Sequence, residues 1–314
     1  MPSRSTRRTL LPPLVFAATL LAALSCREQP RFTLDHPLAD VGFGQRQTAG
    51  LLACDAIDEA SGLAASRMNA DVFWIHNDSG DSPRVFAVGP KGEHLGAYTL
   101  LGAKAVDWED MAVGPGPVPG REYLYLADIG DNNAKHASVT VYRVPEPVVR
   151  ADQEPVESAL SGVEALRMVY PDGPRDAETL LVDPLTRDLV IVSKREPTVH
   201  VYRAAYPQPV DSVFTLQPCG ELPLTMVTAG DVNAAGDAVL LKTYEGIYLF
   251  RRSAGQRLDE ALQAPPLRLP YSPEPQGEAV AWSADGETYY TVSEERDGIP
   301  AFLFYYSRKA EPQG

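Results

Sequence analysis

Cysteine is scarce in this chain. Among 314 residues there are three cysteines, Cys26, Cys54 and Cys219, and none of them has the close spacing of a cysteine-based metal site. Two alternatives stay open for Cys54 and Cys219. An oxidising compartment would permit a disulfide between them, and otherwise they are buried free thiols.

Basic residues are outnumbered by acidic ones. The chain has 28 Lys and Arg against 42 Asp and Glu, which gives a net charge of −14. Arg4, Arg7 and Arg8 all precede Cys26, so the chain from residue 27 onwards carries −17. Because nucleic acids and anionic membrane surfaces bind basic faces, we expect neither as a partner. An acidic chain is compatible with cation binding or with simple solubility.

Several catalytic motifs are missing as well. No serine lies in a Gly-x-Ser-x-Gly turn, which argues against a serine hydrolase of the α/β type. The chain also has no phosphate-binding glycine loop and no dinucleotide-binding fingerprint. Any chemistry must therefore come from a different arrangement of residues.

A long apolar run occurs at the N-terminus. Residues 10–24 are interrupted only by Pro12, Pro13 and Thr19, and they follow a short basic segment without acidic residues. This run is shorter than the roughly 20 residues that a transmembrane helix needs. A basic start, an apolar run and a small residue before a break are typical of a secretory signal. Residues 1–26 are therefore predicted to be a signal peptide, and the protein to be exported.

The end of this run resembles the lipobox of bacterial lipoproteins. Ala23, Leu24, Ser25 and Cys26 carry the resemblance, although the usual order places Leu first and a small residue second. The resemblance implies that Cys26 is lipidated, which would give stable membrane anchoring. Arg27, where a sorting Asp would stand, implies the outer membrane in a Gram-negative envelope. The alternatives are a plain signal peptide or an uncleaved anchor with an incidental cysteine.

Five segments of the remaining chain begin alike. The intervals between them are nearly equal, except that one interval is longer than the others. Each leads into short strands rich in aromatic and β-branched residues, separated by turns that contain Gly or Asp. Four strands per unit at this period are typical of β-propeller blades. The sequence therefore predicts an all-β propeller of five four-stranded blades. The five starting residues are Ser61, Glu109, Glu178, Thr228 and Glu278.

The two ends of the repeat region predict how the ring closes. The last unit lacks a fourth strand, and residues 31–35 precede the first unit without a blade of their own. We expect an N-terminal strand to pair into the last blade. Residues 145–173 are interpreted as a loop followed by an outer strand at 163–170, and a degenerate sixth blade is the alternative. The predicted organisation is signal peptide 1–26, tether and closing strand 27–50, propeller 51–309 and tail 310–314.

A second set of polar residues follows the second strand of each unit. Four units have the same interval between the starting residue and this residue, and the second unit has a slightly longer one because its first turn is longer. Because the second strand returns to the end where the inner strand begins, both sets should meet at one mouth of the central channel. By analogy with other propellers, this is the functional end. The second set is Asn77, Asp128, Lys194, Tyr244 and Glu294.

Three glutamates in the first set would repel one another at this mouth. A hard cation such as Ca²⁺, which takes six to eight oxygen ligands, would offset the repulsion. The alternatives are a water-filled channel without an ion, and a metal-free site with raised carboxyl pKa values. The predicted ligands are Glu109, Glu178, Glu278, Asn77, Asp128 and Glu294. Close neighbours of the mouth are Asp78, Asp81, Asp107, Asp110, Asp131, Asn132, Asp176, Glu196 and Glu295.

Segments in the first and last units have a distinctive sequence. They are residues 59–64, 74–80, 277–281 and 290–294. Together they resemble exported bacterial propellers of the esterase-like, phytase-like and SdiA-regulated families, over roughly residues 55–306. For some relatives the resemblance implies calcium-dependent hydrolysis of phosphoesters or esters. Propeller phytases are rich in basic residues, whereas the mouth here has mainly Lys194, Arg195 and Lys242, which argues against a phytate-like substrate.

Two functions follow from these patterns as hypotheses. In the first, the protein is a metal-dependent hydrolase of a phosphoester, ester or lactone, and a water acidified by the cation is the nucleophile. Glu109 and Glu178 would hold the ion, and Lys194 would stabilise the developing negative charge. His76, a histidine placed near the mouth, is a candidate general base or a structural residue.

In the second hypothesis, the protein is a non-catalytic binding or scaffolding propeller of the cell envelope. A deep pocket with convergent carboxylates would favour the enzyme, and a flat apolar patch would favour the scaffold. We expect a monomer that touches the membrane only through its lipid anchor. Its partner would be an unknown small molecule or an envelope protein.

Overall fold

The computed structural model describes residues 42–309, which form an all-β structure. The described residues contain one short helix, α1 (Leu258–Ala261). The described residues contain no helix long and apolar enough to cross a membrane. The strands are β1 (Gln47–Leu51), β2 (Ala60–Ala65), β3 (Phe73–Asn77), β4 (Arg84–Val88), β5 (His94–Leu100), β6 (Trp108–Pro115), β7 (Glu122–Asp128), β8 (Val139–Pro145), β9 (Val156–Leu160), β10 (Glu164–Val169), β11 (Ala177–Val182), β12 (Leu189–Ser193), β13 (Val199–Ala204), β14 (Phe214–Thr215), β15 (Gln217–Leu222), β16 (Val227–Val232), β17 (Ala238–Thr243), β18 (Ile247–Arg251), β19 (Leu267–Leu269), β20 (Gly277–Trp282), β21 (Thr288–Ser293) and β22 (Phe302–Ser307).

Twenty of these strands form five antiparallel blades, and β9 and β14 pair in parallel with the outer strands of blades 1 and 2. From the inside outwards, blade 1 is β2–β3–β4–β5, blade 2 is β6–β7–β8–β10, and blade 3 is β11–β12–β13–β15. Blade 4 is β16–β17–β18–β19, and blade 5 is β20–β21–β22–β1. Each inner strand contacts the inner strand of the next blade, and β20 contacts β2, so the ring is closed. The predicted five-bladed propeller is confirmed, and the six-bladed alternative is wrong.

The hydrophobic core of the described chain is divided into layers between neighbouring blades. Trp74 of blade 1 and Trp108 of blade 2 belong to one such layer. The other four pairs of neighbouring blades have similar layers between them. A blade is therefore covered on both faces, which favours strands without alternating polar residues. In β12 every residue of the sequence LVIVS is buried. This two-sided burial explains why the second strands of the units are almost continuously apolar.

An N-terminal strand closes the ring, as predicted. The strand β1 pairs antiparallel with β22 in blade 5, with Gln47 opposite Tyr305 and Leu51 opposite Phe302. Residues 31–35, the segment in which the sequence suggested this strand, lie outside the described residues. Gly50 of β1 also lies directly against the backbone of Lys91 in the β4–β5 turn of blade 1. The closing strand thus joins blade 5 to blade 1.

The long interval between the second and third repeats does not form a blade. Its second half is the outer strand β10, which pairs with β8 as the sequence predicts. Its first half contains β9, which pairs in parallel with β5 at the outer edge of blade 1. The interval therefore extends two existing blades, and the pairing of β9 with a preceding blade was not predicted.

Each inner strand contains a register shift at the residue that starts the repeat. The shift is a β-bulge, in which an extra residue leaves the regular ladder and its side chain is aimed differently. The positions on either side of the bulges are Ala60/Gly62, Trp108/Asp110, Ala177/Thr179, Val227/Ala229 and Gly277/Ala279. The polar side chains of the first set are thereby presented at the same level of all five blades.

Buried polar side chains connect the blades near the channel. Ser61 donates a hydrogen bond from Oγ to the carbonyl oxygen of Glu109, over 2.6 Å. One carboxylate oxygen of Asp110 accepts hydrogen bonds from the backbone of Leu180 (2.9 Å) and Gly230 (3.3 Å), which belong to blades 3 and 4. These contacts fix the relative height of neighbouring inner strands, and so they position the residues of the mouth.

The two cysteines of the described chain are not bridged. Cys54 precedes β2 and Cys219 lies on β15 of blade 3, and both are half-buried free thiols. They are in non-adjacent blades, so the disulfide alternative is not formed. Cys26 and the rest of the predicted signal peptide lie outside the described residues.

Candidate cation site at the channel mouth

The two predicted sets of polar residues lie at the same end of the channel. The first set occupies the bulges of the inner strands, and the second set lies at or directly after the ends of β3, β7, β12, β17 and β21. Direct contacts join the sets. Lys194 of the second set forms an ion pair with Glu178 of the first, and Tyr244 donates a hydrogen bond to Glu278 over 2.6 Å.

Two groups of three carboxylates at this mouth are arranged as metal ligands. One group is Glu109, Asp176 and Glu178, all buried, and we call it the inner triad. The other is Asp78, Asp107 and Glu109, which we call the outer triad. Within each triad the ligand oxygens lie within 4.8 Å of one another. Oxygens that bind one Ca²⁺ at about 2.3–2.6 Å can be no farther apart than about 5 Å, and the spacing within each triad is below this limit.

Glu178 has the least favourable surroundings of the inner triad. Its side chain is buried, and its Oε2 atom has no hydrogen-bond partner in the described structure. Burial raises the pKa of Glu178 to about 8, even though the Lys194 ammonium beside it acts in the opposite direction. A buried carboxylate oxygen without a partner is costly, and a bound cation would satisfy it.

Glu109 belongs to both triads. Burial, and then the charge of Glu178, raise its pKa well above the usual range. Burial also raises the pKa of Asp107, to about 6. The oxygens of these two side chains meet over Gly130, where a Cβ atom would overlap Glu109 Oε1 and lie 2.5 Å from Asp107 Oδ2. The absence of a side chain at residue 130 therefore leaves the space in which two carboxylates approach each other.

Lys194 is a buried cation at this mouth. Its ammonium donates to Glu178 Oε1 and lies 5.3 Å from the centre of the Tyr244 ring, within the range of a cation–π interaction. Burial alone would lower the pKa of Lys194, but the carboxylates of Glu178 and Glu278 raise it, so the side chain is charged. A chain of contacts thus runs from Glu278 through Tyr244 and Lys194 to the inner triad.

The predicted ligands do not all meet in the triads. Glu109 and Glu178 do, whereas Glu278, Asn77, Asp128 and Glu294 belong to neither. Asp128 accepts backbone hydrogen bonds from residues 106 and 107, over 3.3 and 2.8 Å, and so holds the turn that carries Asp107. Glu294 lies close to Glu278 and Asp78, and burial raises its pKa to about 7.

Asn77 is held by its own loop. Its amide nitrogen donates to the carbonyl oxygen of Ala56 over 2.7 Å and to Asp81 over 3.1 Å. Its Oδ1 atom is buried and has no partner in the described structure. This oxygen is an available neutral ligand, although it lies outside both triads.

Asp78, Asp107 and Asp176 complete the triads, and the sequence named them only as neighbours of the mouth. A simple pattern identifies two of them. Asp107 and Asp176 each precede a ring glutamate in the pattern Asp-x-Glu, in blades 2 and 3. The equivalent residues of the other blades are Glu59, Met226 and Gln276. Because residues two apart in an extended chain point to the same side, the two carboxylates of each Asp-x-Glu pair lie together.

His76 and Lys242 lie deeper than the sequence suggests. His76 is fully buried against Gly62 and Trp108, and burial lowers its pKa to about 4, so its ring is neutral. Lys242 is also fully buried, and its ammonium donates to the carbonyl oxygen of Gly277. At the position of Lys242 the other blades have the buried apolar residues Ile75, Leu126, Val192 and Val292.

The raised carboxyl pKa values predict that the ion-free protein loses stability as the pH rises from 6.5 to 8. In this window the folded state still binds protons that the unfolded state has lost, at Glu178 (pKa about 8) and Glu294 (about 7). His76 opposes this trend only below its ordinary value of 6.5, and Lys242 only above about 8. We expect a loss of about 1 kcal/mol or more in urea unfolding with EDTA present.

Glu178→Gln is the control for this pH dependence. It removes the carboxyl group whose pKa is about 8, which contributes most to the loss of stability in this window. The variant should show a flatter stability profile between the same two pH values. A wild-type stability that stays constant or rises over this window would contradict the electrostatic description of the mouth.

Comparisons with known proteins do not identify a family for this chain. No protein-family model matches it, and no curated protein matches it. Among solved structures, one similar chain comes from the crystal structure of a nidogen/laminin complex. It has a TM-score of 0.45 and 11% sequence identity, and the match covers 76% of this chain and 73% of that chain. Likeness at this level does not indicate what this chain binds or catalyses.

Proposed function

We propose that this propeller binds Ca²⁺ at the channel mouth, through Glu109, Asp176 and Glu178. The observation that carries the proposal is Glu178, a buried member of a three-carboxylate group with one oxygen that has no partner in the described structure. We further propose that the protein is exported, that Cys26 anchors it to the envelope membrane, and that it acts as a monomer.

The ligand set favours calcium over other common metals. All candidate ligands are oxygens, whereas zinc prefers histidine and cysteine ligands. Magnesium requires a small octahedral site at about 2.1 Å and keeps most of its water, whereas Ca²⁺ accepts more ligands and irregular geometry. A group of buried carboxylates suits the larger and more tolerant ion. The outer triad, which shares Glu109, provides ligands for a second ion.

The consequence that we propose for the ion is hydrolysis of a phosphoester, ester or lactone. A bound divalent cation lowers the pKa of water and stabilises negative charge on oxygen. Glu109 and Glu178 supply negative charge to hold the cation, and the Lys194 ammonium beside them stabilises charge that develops on a substrate.

A second candidate function is non-catalytic binding of an envelope protein. The observation that favours it is an apolar groove between blades 3 and 4, with a volume of about 320 Å³, which includes Tyr244 at the edge of the mouth. Its apolar lining comes from Pro197, Pro223, Leu224, Met226 and Tyr248. Many partner-binding surfaces likewise consist of an apolar patch bordered by polar residues.

Thermal unfolding tests calcium binding. The sample is residues 27–314, which contain all the strands that close the ring, first in EDTA and then in millimolar Ca²⁺. An ion at a hundred times its dissociation constant stabilises the folded state by about 2.7 kcal/mol. For a chain of this size, this corresponds to a rise in Tm of about 5–10 °C. Magnesium at the same concentration should give a smaller rise. An unchanged Tm in calcium would exclude the proposed site.

A further inference from the structure

Lys194 and Arg195 already supply positive charge to the inner triad. The Lys194 ammonium pairs with Glu178, and the Arg195 guanidinium pairs with Asp176. Two of the three carboxylates that would hold a cation are therefore bound to neighbouring basic side chains from one loop after β12. Glu109 has no such ion pair in the described structure.

The two basic residues differ in how firmly they are held. The Lys194 side chain is 6% exposed, whereas the Arg195 side chain is 44% exposed. An exposed ion pair contributes little, because water solvates both groups when they separate. A buried ammonium has no such alternative, so Lys194 is the stronger competitor for a triad oxygen.

The Lys194 ammonium is attracted by other groups besides Glu178. The Tyr244 ring lies 5.3 Å from the ammonium, and the hydroxyl of Tyr244 is fixed by its hydrogen bond to Glu278. Attraction to this ring face and to the Glu278 carboxylate would stabilise the ammonium after it leaves Glu178. A cation can then take both oxygens of Glu178, of which Oε2 already has no partner in the described structure.

On this basis we propose that Lys194 is the specificity-determining residue of the cation site, acting as an internal competitor that an incoming ion must displace from Glu178. The inference rests on the proposed function, since it requires the triad to bind an ion. It also predicts selection by charge. A monovalent ion brings no more charge than the ammonium it would replace, whereas a divalent ion adds a net positive charge to the triad.

Lys194→Met tests the proposal, with calcium binding measured by isothermal titration calorimetry. Methionine retains most of the length of the side chain and removes its charge. We expect the variant to bind Ca²⁺ at least about tenfold more tightly than the wild type, which corresponds to about 1.4 kcal/mol. We also expect sodium chloride, compared with choline chloride, to raise the Tm of the variant and not that of the wild type.

Two further variants serve as controls. Arg195→Met removes the exposed competitor and should tighten binding by less than about fivefold. Lys91→Met removes the same charge from an exposed turn at the other end of blade 1 and should leave the affinity unchanged. If Lys194→Met and Lys91→Met change the calcium affinity equally, the change is caused by the net charge of the protein and the proposal is wrong.

The outcomes separate this inference from the proposed function. Calcium binding to the wild type with equal or weaker binding to Lys194→Met would overturn the inference and leave the cation site intact. Absence of calcium binding in both proteins would overturn the proposed function itself. Binding by Lys194→Met alone would mean that Lys194 prevents binding in the wild type, and it would overturn the proposal that an incoming ion displaces this side chain.

Discussion

Replacing Glu178 with glutamine is expected to weaken calcium binding by at least about a hundredfold. Glutamine retains the shape of the side chain and removes one of the three carboxyl groups that would carry negative charge with the ion bound. Ca²⁺ affinity depends strongly on the number of charged oxygen ligands. A hundredfold loss corresponds to about 2.7 kcal/mol, a moderate value for a buried anionic ligand. Isothermal titration calorimetry of residues 27–314 measures the effect directly.

Glu294→Gln is the matched control for this substitution. Glu294 lies at the same mouth and has a raised pKa, but it belongs to neither triad. Its replacement should change the calcium affinity by less than about fivefold, through long-range electrostatics alone. Equal losses in Glu178→Gln and Glu294→Gln would mean that the total charge of the mouth attracts the ion, and that the inner triad does not bind it specifically.

Replacing Gly50 with alanine is expected to destabilise the whole propeller by about 3 kcal/mol. An added Cβ atom would overlap the carbonyl oxygen of Lys91 and lie 2.6 Å from its carbonyl carbon. Both partners are backbone, so the clash cannot be relieved by a change of rotamer. It would push β1 away from blade 1 and weaken the pairing with β22 that closes the ring. Urea unfolding should show the loss, together with a fall in Tm of about 6–12 °C.

Gly44→Ala is the control for the Gly50 substitution. Gly44 lies earlier on the same approach to blade 5, and its added Cβ atom would be 3.6 Å from the Ser307 carbonyl oxygen, an ordinary contact. Its effect should stay within about 0.5 kcal/mol. If Gly50→Ala were as stable as the wild type, the close approach of Gly50 to the Lys91 backbone would have no role in ring closure.

The fold could be predicted because its signals are local and repeated. Each unit carries its own strands and turns, and the positions of Glu178 and Lys194 relative to their strands recur in the other blades. The strand β9 could not be predicted in this way. Its sequence, VESAL, is largely exposed, and it forms because the free edge of β5 accepts its backbone hydrogen bonds. The strands β6, β7 and β8 separate these two partners along the chain, so no local signal links them.

The candidate site could be predicted only in part. The repeat brought Glu109 and Glu178 to one mouth, but it did not indicate which carboxylates would meet there. Asp128 was expected among the ligands, and its short side chain instead accepts hydrogen bonds from a nearby turn. Such local bonds are a common alternative for Asp and Asn. Asp107 and Asp176 were missed as ligands because the other three units have Glu59, Met226 and Gln276 at this position, so the shared repeat pattern does not mark it.

A crystal structure of residues 27–314 grown in calcium would show whether the inner triad binds the ion. It would show an ion between Glu109, Asp176 and Glu178, with calcium–oxygen distances of about 2.3–2.6 Å. It would also show the Lys194 ammonium turned from Glu178 towards Tyr244. A mouth without an ion, in which Lys194 still pairs with Glu178 at high calcium concentration, would contradict the account.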